Sequence, residues 1–137
     1  MTKVQKQLVK SSFRDAERVG PIVALCFYKR LFELDPSLRR LFHTDIEEQG
    51  KKLLQALKIV SDGIDRLPEI LPAIESLGRR HVRYGVIDKD YETVGQALLW
   101  TLEESLGANF TTEVGAAWSA AFDLVATAMK RAARTVE

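Results

Sequence analysis

Residues 67–84 read Leu67-Pro68-Glu69-Ile70-Leu71-Pro72-Ala73-Ile74-Glu75-Ser76-Leu77-Gly78-Arg79-Arg80-His81-Val82-Arg83-Tyr84. Leu67, Ile70, Ile74 and Leu77 recur at spacings of three and four, the apolar stripe of an amphipathic helix, and His81 falls next on that stripe. The pattern predicts a helix over 67–84, broken by Gly85, that carries an imidazole inward near its C-terminal end. A second stripe, Ile46, Leu53, Leu57, Val60 and Ile64, is interrupted in the same way by Gln49. Two polar side chains therefore look inward from two separate helices.

Outward from these helices the same period continues, and no stretch alternates as a half-buried strand would. The chain is predicted to be all-helical. Val4, Leu8, Val9, Phe13 and Ala16 define a first helix over 4–18, and Gly20-Pro21 ends it and opens the next. That second helix runs to about Leu34; its first half, Ile22 to Tyr28, is apolar nearly all round, so neighbours should cross it on several sides and Tyr28 should be inside. Asp35-Pro36 reads as an N-cap and a first-turn proline that start a short helix closing with Leu38, Leu41 and Phe42, before a polar loop at 43–45. The Gln49 helix extends to about Ile64. Asp88 or Asp90 can cap a helix built on Tyr91, Val94, Leu98, Leu102 and Leu106. Thr111 can cap a last one built on Val114, Trp118, Ala121, Phe122, Val125 and Met129. Six to eight helices of unequal length with short connections argue for crossed-helix packing rather than a regular bundle.

At 137 residues the chain suits a single domain over 1–137 with a core of its own. A net charge of +1, with 28% charged and 46% apolar residues, lacks the basic excess of a nucleic-acid-binding protein. The longest apolar run is too short to span a bilayer, and the three lysines of 1–10 precede no signal-type block. A cytoplasmic protein without membrane insertion is expected. Cys26, the single cysteine, reads as a small buried hydrophobe.

One imidazole cannot hold a bare zinc or iron ion, which needs three or four ligands. Arg79, Arg80 and Arg83 repel a cation, and His43, the other histidine, belongs to a polar loop. A metal at His81 must bring its own ligands. Haem does so, needing one proximal histidine and leaving the other axial position to a small ligand. The three arginines read as a solvated helix face that would also suit the propionates. Tyr28 and Gln49 then suit the opposing side, where a phenol and an amide can donate to the partial negative charge of bound dioxygen. Leu53, one turn after Gln49, would wall the space above the iron.

Phe27-Tyr28-Lys29-Arg30-Leu31-Phe32, Asp35-Pro36 through Leu41-Phe42, 67–74 leading to His81, Tyr91-Glu92-Thr93-Val94-Gly95 and Trp118 follow one another in an order and spacing that resembles the globin family. Within it the chain is similar to single-domain bacterial haemoglobins and the haem domains of flavohaemoglobins, over nearly its whole length. The resemblance implies a globin fold with a haem b cofactor. It makes His81 the proximal iron ligand and Phe42 the phenylalanine packed on the porphyrin, with Tyr28, Gln49 and Leu53 as the distal pocket. Tyr91 matches a tyrosine beside the proximal histidine, and Leu77, Val86, Val94 and Leu98 fall at haem-contacting positions. The resemblance also contains a departure. Flavohaemoglobins join histidine and tyrosine to a glutamate on the final helix, and that position here is Ala133, so the trio is incomplete unless Glu137 folds back.

The expected function is reversible binding of dioxygen, with nitric oxide and carbon monoxide as further ligands. No residue is assigned as catalytic. The enzymatic alternative is nitric oxide dioxygenation; with no dinucleotide-binding glycine motif among these residues, it would depend on a separate reductase. A third possibility is a gas sensor or partner-binding module.

Overall fold

The computed structural model describes residues 1–43 and 45–135, so Thr44, and with it part of the predicted polar loop, and Glu137 lie outside the described residues. Six α-helices follow one another: α1 (Lys3–Val19), α2 (Ile22–Leu34), α3 (Ile46–Gly63), α4 (Leu67–Tyr84), α5 (Asp88–Leu106) and α6 (Thr112–Ala133). Short 3-10 turns occupy Pro36–Leu41, Ile64–Arg66 and Gly107–Asn109. No helix among the described residues is long and apolar enough to cross a membrane.

The boundaries follow local chemistry. Thr2 and Gln5 cap α1 reciprocally, the Thr2 hydroxyl accepting from the Gln5 N–H and the Gln5 amide oxygen from the Thr2 N–H. Asp35 accepts from the Ser37 N–H at 3.1 Å, as its N-cap reading expects, but the segment it opens winds as 3-10 rather than α. Gly85 closes α4 at φ 94°, a left-handed conformation that glycine adopts without a Cβ penalty. At α5 the N-cap is Ile87; Asp90, inside the first turn, accepts from the Ile87 N–H at 3.0 Å. Thr111 caps α6 by accepting from the Val114 N–H at 3.1 Å.

Helices cross where one surface is stripped to glycine. A Cβ on Gly78 of α4 would lie 2.5 Å from the Met129 carbonyl oxygen and 2.7 Å from its Cα, so α4 and α6 touch backbone to backbone. Similarly, Gly50 of α3 would meet Ala24 of α2 at 2.9 Å. Buried hydroxyls are spent locally. The Trp118 Nε1–H donates to Ser12 Oγ at 2.8 Å, and Ser12 donates onward to the Leu8 carbonyl at 2.6 Å, tying α6 to α1.

The apolar interior falls into two clusters. The larger one gathers Val9, Phe13, Phe27, Tyr28, Leu31, Leu98, Leu102 and Trp118 with others of α1, α2, α5 and α6. The smaller one is Ile74, Tyr91, Ala126 and Met129, with Leu67, Ile70, Leu77 and Val86 packed on it; Phe122 borders both. Two expectations change. Val4 is 68% exposed, because five residues before Val9 is about 140° round the helix from the buried stripe. In α2, Ile22 and Leu25 are 56% and 45% exposed, so that helix keeps one solvent face despite its uniformly apolar start. Cys26 is half-buried.

Candidate functional site

His81 sits in the last turn of α4, half-buried, with Nδ1 2.8 Å from the carbonyl oxygen of Leu77. A carbonyl can only accept, so Nδ1 carries the proton and a neutral ring holds its free lone pair on Nε2. Burial lowers the pKa of His81 below the usual imidazole value, the Leu77 hydrogen bond works against that, and the Arg80 charge adds to it. The ring is therefore neutral at physiological pH, the state in which imidazole binds a metal. The Tyr84 ring lies beside it, centroids 5.7 Å apart.

Tyr28 is 5% exposed, and the rings of Phe27, Phe42 and Phe32 surround it at centroid distances of 5.0, 5.3 and 6.2 Å. Burial raises its pKa to about 12, so the phenol keeps its proton. That proton is directed at the main-chain carbonyl of Gln49, 3.1 Å away. Tyr28 and Gln49 meet through the main chain: the phenol bonds the backbone carbonyl of Gln49, on α3, whose side chain is half-buried.

The other predicted contact positions divide between the two clusters. Phe42, Leu53, Val94 and Leu98 belong with Tyr28 to the larger, and Leu77, Val86 and Tyr91 to the smaller, from which His81 springs through Leu77. Tyr91 is buried, and burial first, then Asp88 and Asp90, raises its pKa. Among the described residues its hydroxyl forms no hydrogen bond with His81. Instead the Lys130 ammonium lies 5.4 Å from the centre of its ring. Ala133 is half-buried one turn further along α6. Sequence reasoning missed Lys130 and Tyr84. It also missed the Leu77 carbonyl, which the spacing of four residues within a helix makes reachable.

Among the described residues no three His, Cys, Asp or Glu side chains group to hold a metal ion. The donor set fits haem: one neutral imidazole with its lone pair free at Nε2, apolar side chains from both clusters, and a protonated phenol. Two grooves of about 390 and 480 Å³ run along α6, and neither is lined by His81, Tyr28 or Gln49.

A protein-family profile described as Globin matches residues 25–129. A flavohemoprotein of Vibrio cholerae is 30% identical over 129 residues, which make up 92% of this chain and 33% of that protein. The chain thus spans about a third of the length of the flavohemoproteins it matches. The anaerobic nitrite reductase AHB2 of Arabidopsis thaliana is 32% identical over 144 residues, covering 94% of this chain and 91% of that one. Among solved structures, an engineered carbene transferase from Rhodothermus marinus, assigned as a nitric oxide dioxygenase, superposes with a TM-score of 0.89 at 28% identity, covering 98% of this chain and 94% of that one.

Proposed function

This chain belongs to the globin family, and we propose that it holds haem b through His81 and reversibly binds dioxygen and other diatomic gases in the cytoplasm. The observation that carries the reading is the 2.8 Å approach of His81 Nδ1 to the Leu77 carbonyl, which fixes the tautomer and presents Nε2 as a ligand. Haem, when bound, would supply an iron able to bind a diatomic gas, and His81 is the residue that would hold it. Phe42, Leu53, Val94 and Leu98 on one side, with Leu77, Val86 and Tyr91 on the other, would enclose it and exclude water.

Tyr28 is the distal donor. Its proton already rests on the Gln49 carbonyl, so donating to a gas ligand exchanges one hydrogen bond for another. The net gain is a difference of about 1 kcal/mol rather than the strength of a whole bond, which moderates retention and favours release. Gln49 is the second distal group, its amide a further donor. On the proximal side, the Nδ1 proton meets a neutral carbonyl, not a carboxylate, and Tyr91 faces a cation, so among the described residues nothing pulls the ring towards imidazolate. This favours reversible binding over peroxidase-like chemistry.

The likeness to flavohemoproteins and to the Rhodothermus marinus protein supports a second reading, nitric oxide dioxygenation with electrons from a separate reductase. The test begins with visible spectra of the haem-reconstituted chain, ferric, ferrous and oxygen-exposed, beside His81→Ala. A single-imidazole ferrous spectrum and a stable oxygenated form, both lost in the variant, are expected. Retention of both in His81→Ala would reject His81 as the ligand. Sustained nitrate formation with an added reductase then separates enzyme from carrier.

A further inference from the structure

Tyr84 ends α4 three residues after His81 and is, among the described residues, the one Phe, Tyr or Trp side chain left largely in water, 52% exposed. Its ring lies beside the imidazole, centroids 5.7 Å apart and planes tilted by 54°, within the range of an aromatic contact. Among the described residues its hydroxyl forms no hydrogen bond. What Tyr84 offers is therefore its ring, and what that ring meets is the side chain whose Nε2 is free. We propose that Tyr84 is a positioning residue, which fixes the plane of the His81 imidazole and shields its outer side from water. The proposal rests on the reading of His81 as the haem ligand and deepens it.

The hydrogen bond from Nδ1 to the Leu77 carbonyl holds one atom of the imidazole. A ring held at one atom still swings about the line of that bond, because the torsion that joins Cβ to a histidine ring has broad wells. A second contact off that line is needed to set the plane, and with it the direction of the Nε2 lone pair. Tyr84 supplies it. Residues three apart are neighbours on a helix, and long side chains lean back towards the N-terminus, so the Tyr84 ring covers the turn that carries His81. The backbone beneath it is closed as well. The Val86 N–H donates to the His81 carbonyl and the Gly85 N–H to the Val82 carbonyl, each at 3.0 Å, a paired closure that Gly85 permits at φ 94°. His81 is thus clasped at its side chain by Leu77 and Tyr84 and at its main chain by Val86.

The comparison that tests this is Tyr84→Ala with Tyr84→Phe in the haem-reconstituted full chain. Circular dichroism in urea checks that both fold, as an exposed position allows. Tyr84→Ala should lose haem to excess acceptor apoglobin about tenfold faster or more, the scale of losing a partner that orients a metal ligand. Its ferrous resonance Raman spectrum should show the iron–histidine stretch shifted or broadened. Tyr84→Phe, which keeps the ring, should match the parent in both. Without haem, long-range nitrogen NMR should find the His81 ring as one Nδ1–H tautomer in the parent and in Tyr84→Phe, and as a mixture in Tyr84→Ala. A Tyr84→Ala chain that matches the parent overturns the proposal, as does a Tyr84→Phe chain that behaves like Tyr84→Ala. Faster haem loss with an unmoved stretch and an unmoved tautomer marks a merely structural role and overturns it too. If His81→Ala keeps haem, the ligand reading fails, and the NMR comparison alone then decides whether Tyr84 sets the imidazole.

Discussion

On the proposed function, one atom of Tyr28 would link protein stability and ligand release. Its hydroxyl is anchored to Gln49 and its pKa stands at about 12, so it keeps a proton to donate across the physiological range. Replacing Tyr28 with Phe should speed dioxygen dissociation severalfold in stopped-flow displacement; an unchanged rate would show that the phenol does not reach the ligand. The same variant should alter the alkaline limb of stability. Below pH about 10 folded and unfolded chains both keep the phenolic proton; between about 10 and about 12 only the folded chain does. The unfolded state is then favoured progressively as pH rises, costing on the order of 2 kcal/mol at this 5% exposed residue. Urea titrations at pH 9 and pH 11.5 should show a larger loss in the parent than in Tyr28→Phe. His81 and Gln49 were legible in the sequence because each interrupts an apolar stripe, a contradiction that the helical period exposes. Their hydrogen bonds were not. The Leu77 carbonyl and the Gln49 carbonyl are main-chain atoms that every residue possesses, so side-chain identity carries no signal of them. Lys130 was hidden for another reason: on α6 it reads as a surface cation, and only the crossing of α5 and α6 brings it over Tyr91.

α4 and α6 cross backbone to backbone at Gly78, and that crossing sets where His81 stands. Gly78 lies three residues before the histidine, and a methyl there would drive α4 away from the Met129 backbone, which cannot yield as a side chain would. Gly78→Ala should therefore destabilise the fold by about 1–3 kcal/mol despite its better helix propensity. It should also weaken haem retention, read by transfer of haem to an acceptor globin. Greater stability in Gly78→Ala would mean that the helices can part freely. The extents of the helices were mostly legible, since α2 and α4 open beside prolines, α4 closes at Gly85 and α6 opens at Thr111, signals whose chemistry is local. The 3-10 winding of Pro36–Leu41 was not, because N-cap and proline signals mark where a turn starts and say nothing of how tightly it coils. The exposed face of α2 was also illegible: an apolar run declares that burial is possible, while which side is covered depends on where α3 and α5 cross.

At the scale of the whole molecule, α6 belongs to both apolar clusters, Trp118 and Ala121 sealing the larger and Ala126 and Met129 the smaller. A chain stopped at Leu106 should consequently lack a cooperative unfolding transition by circular dichroism in urea; a sharp transition would show that α1 to α5 suffice. The family's crossed-helix architecture was legible from periodicity and order alone, but the division of its interior into two clusters was not, because both draw on the same apolar alphabet. The hydrogen bond from Trp118 to Ser12 spans 106 positions of sequence. On the ribosome, Ser12 is made early and waits for its partner while most of the chain is still being added. Neither half of the interior can close until α6 clears the exit tunnel, and the nascent chain meanwhile exposes its apolar surfaces to whatever chaperone attends it.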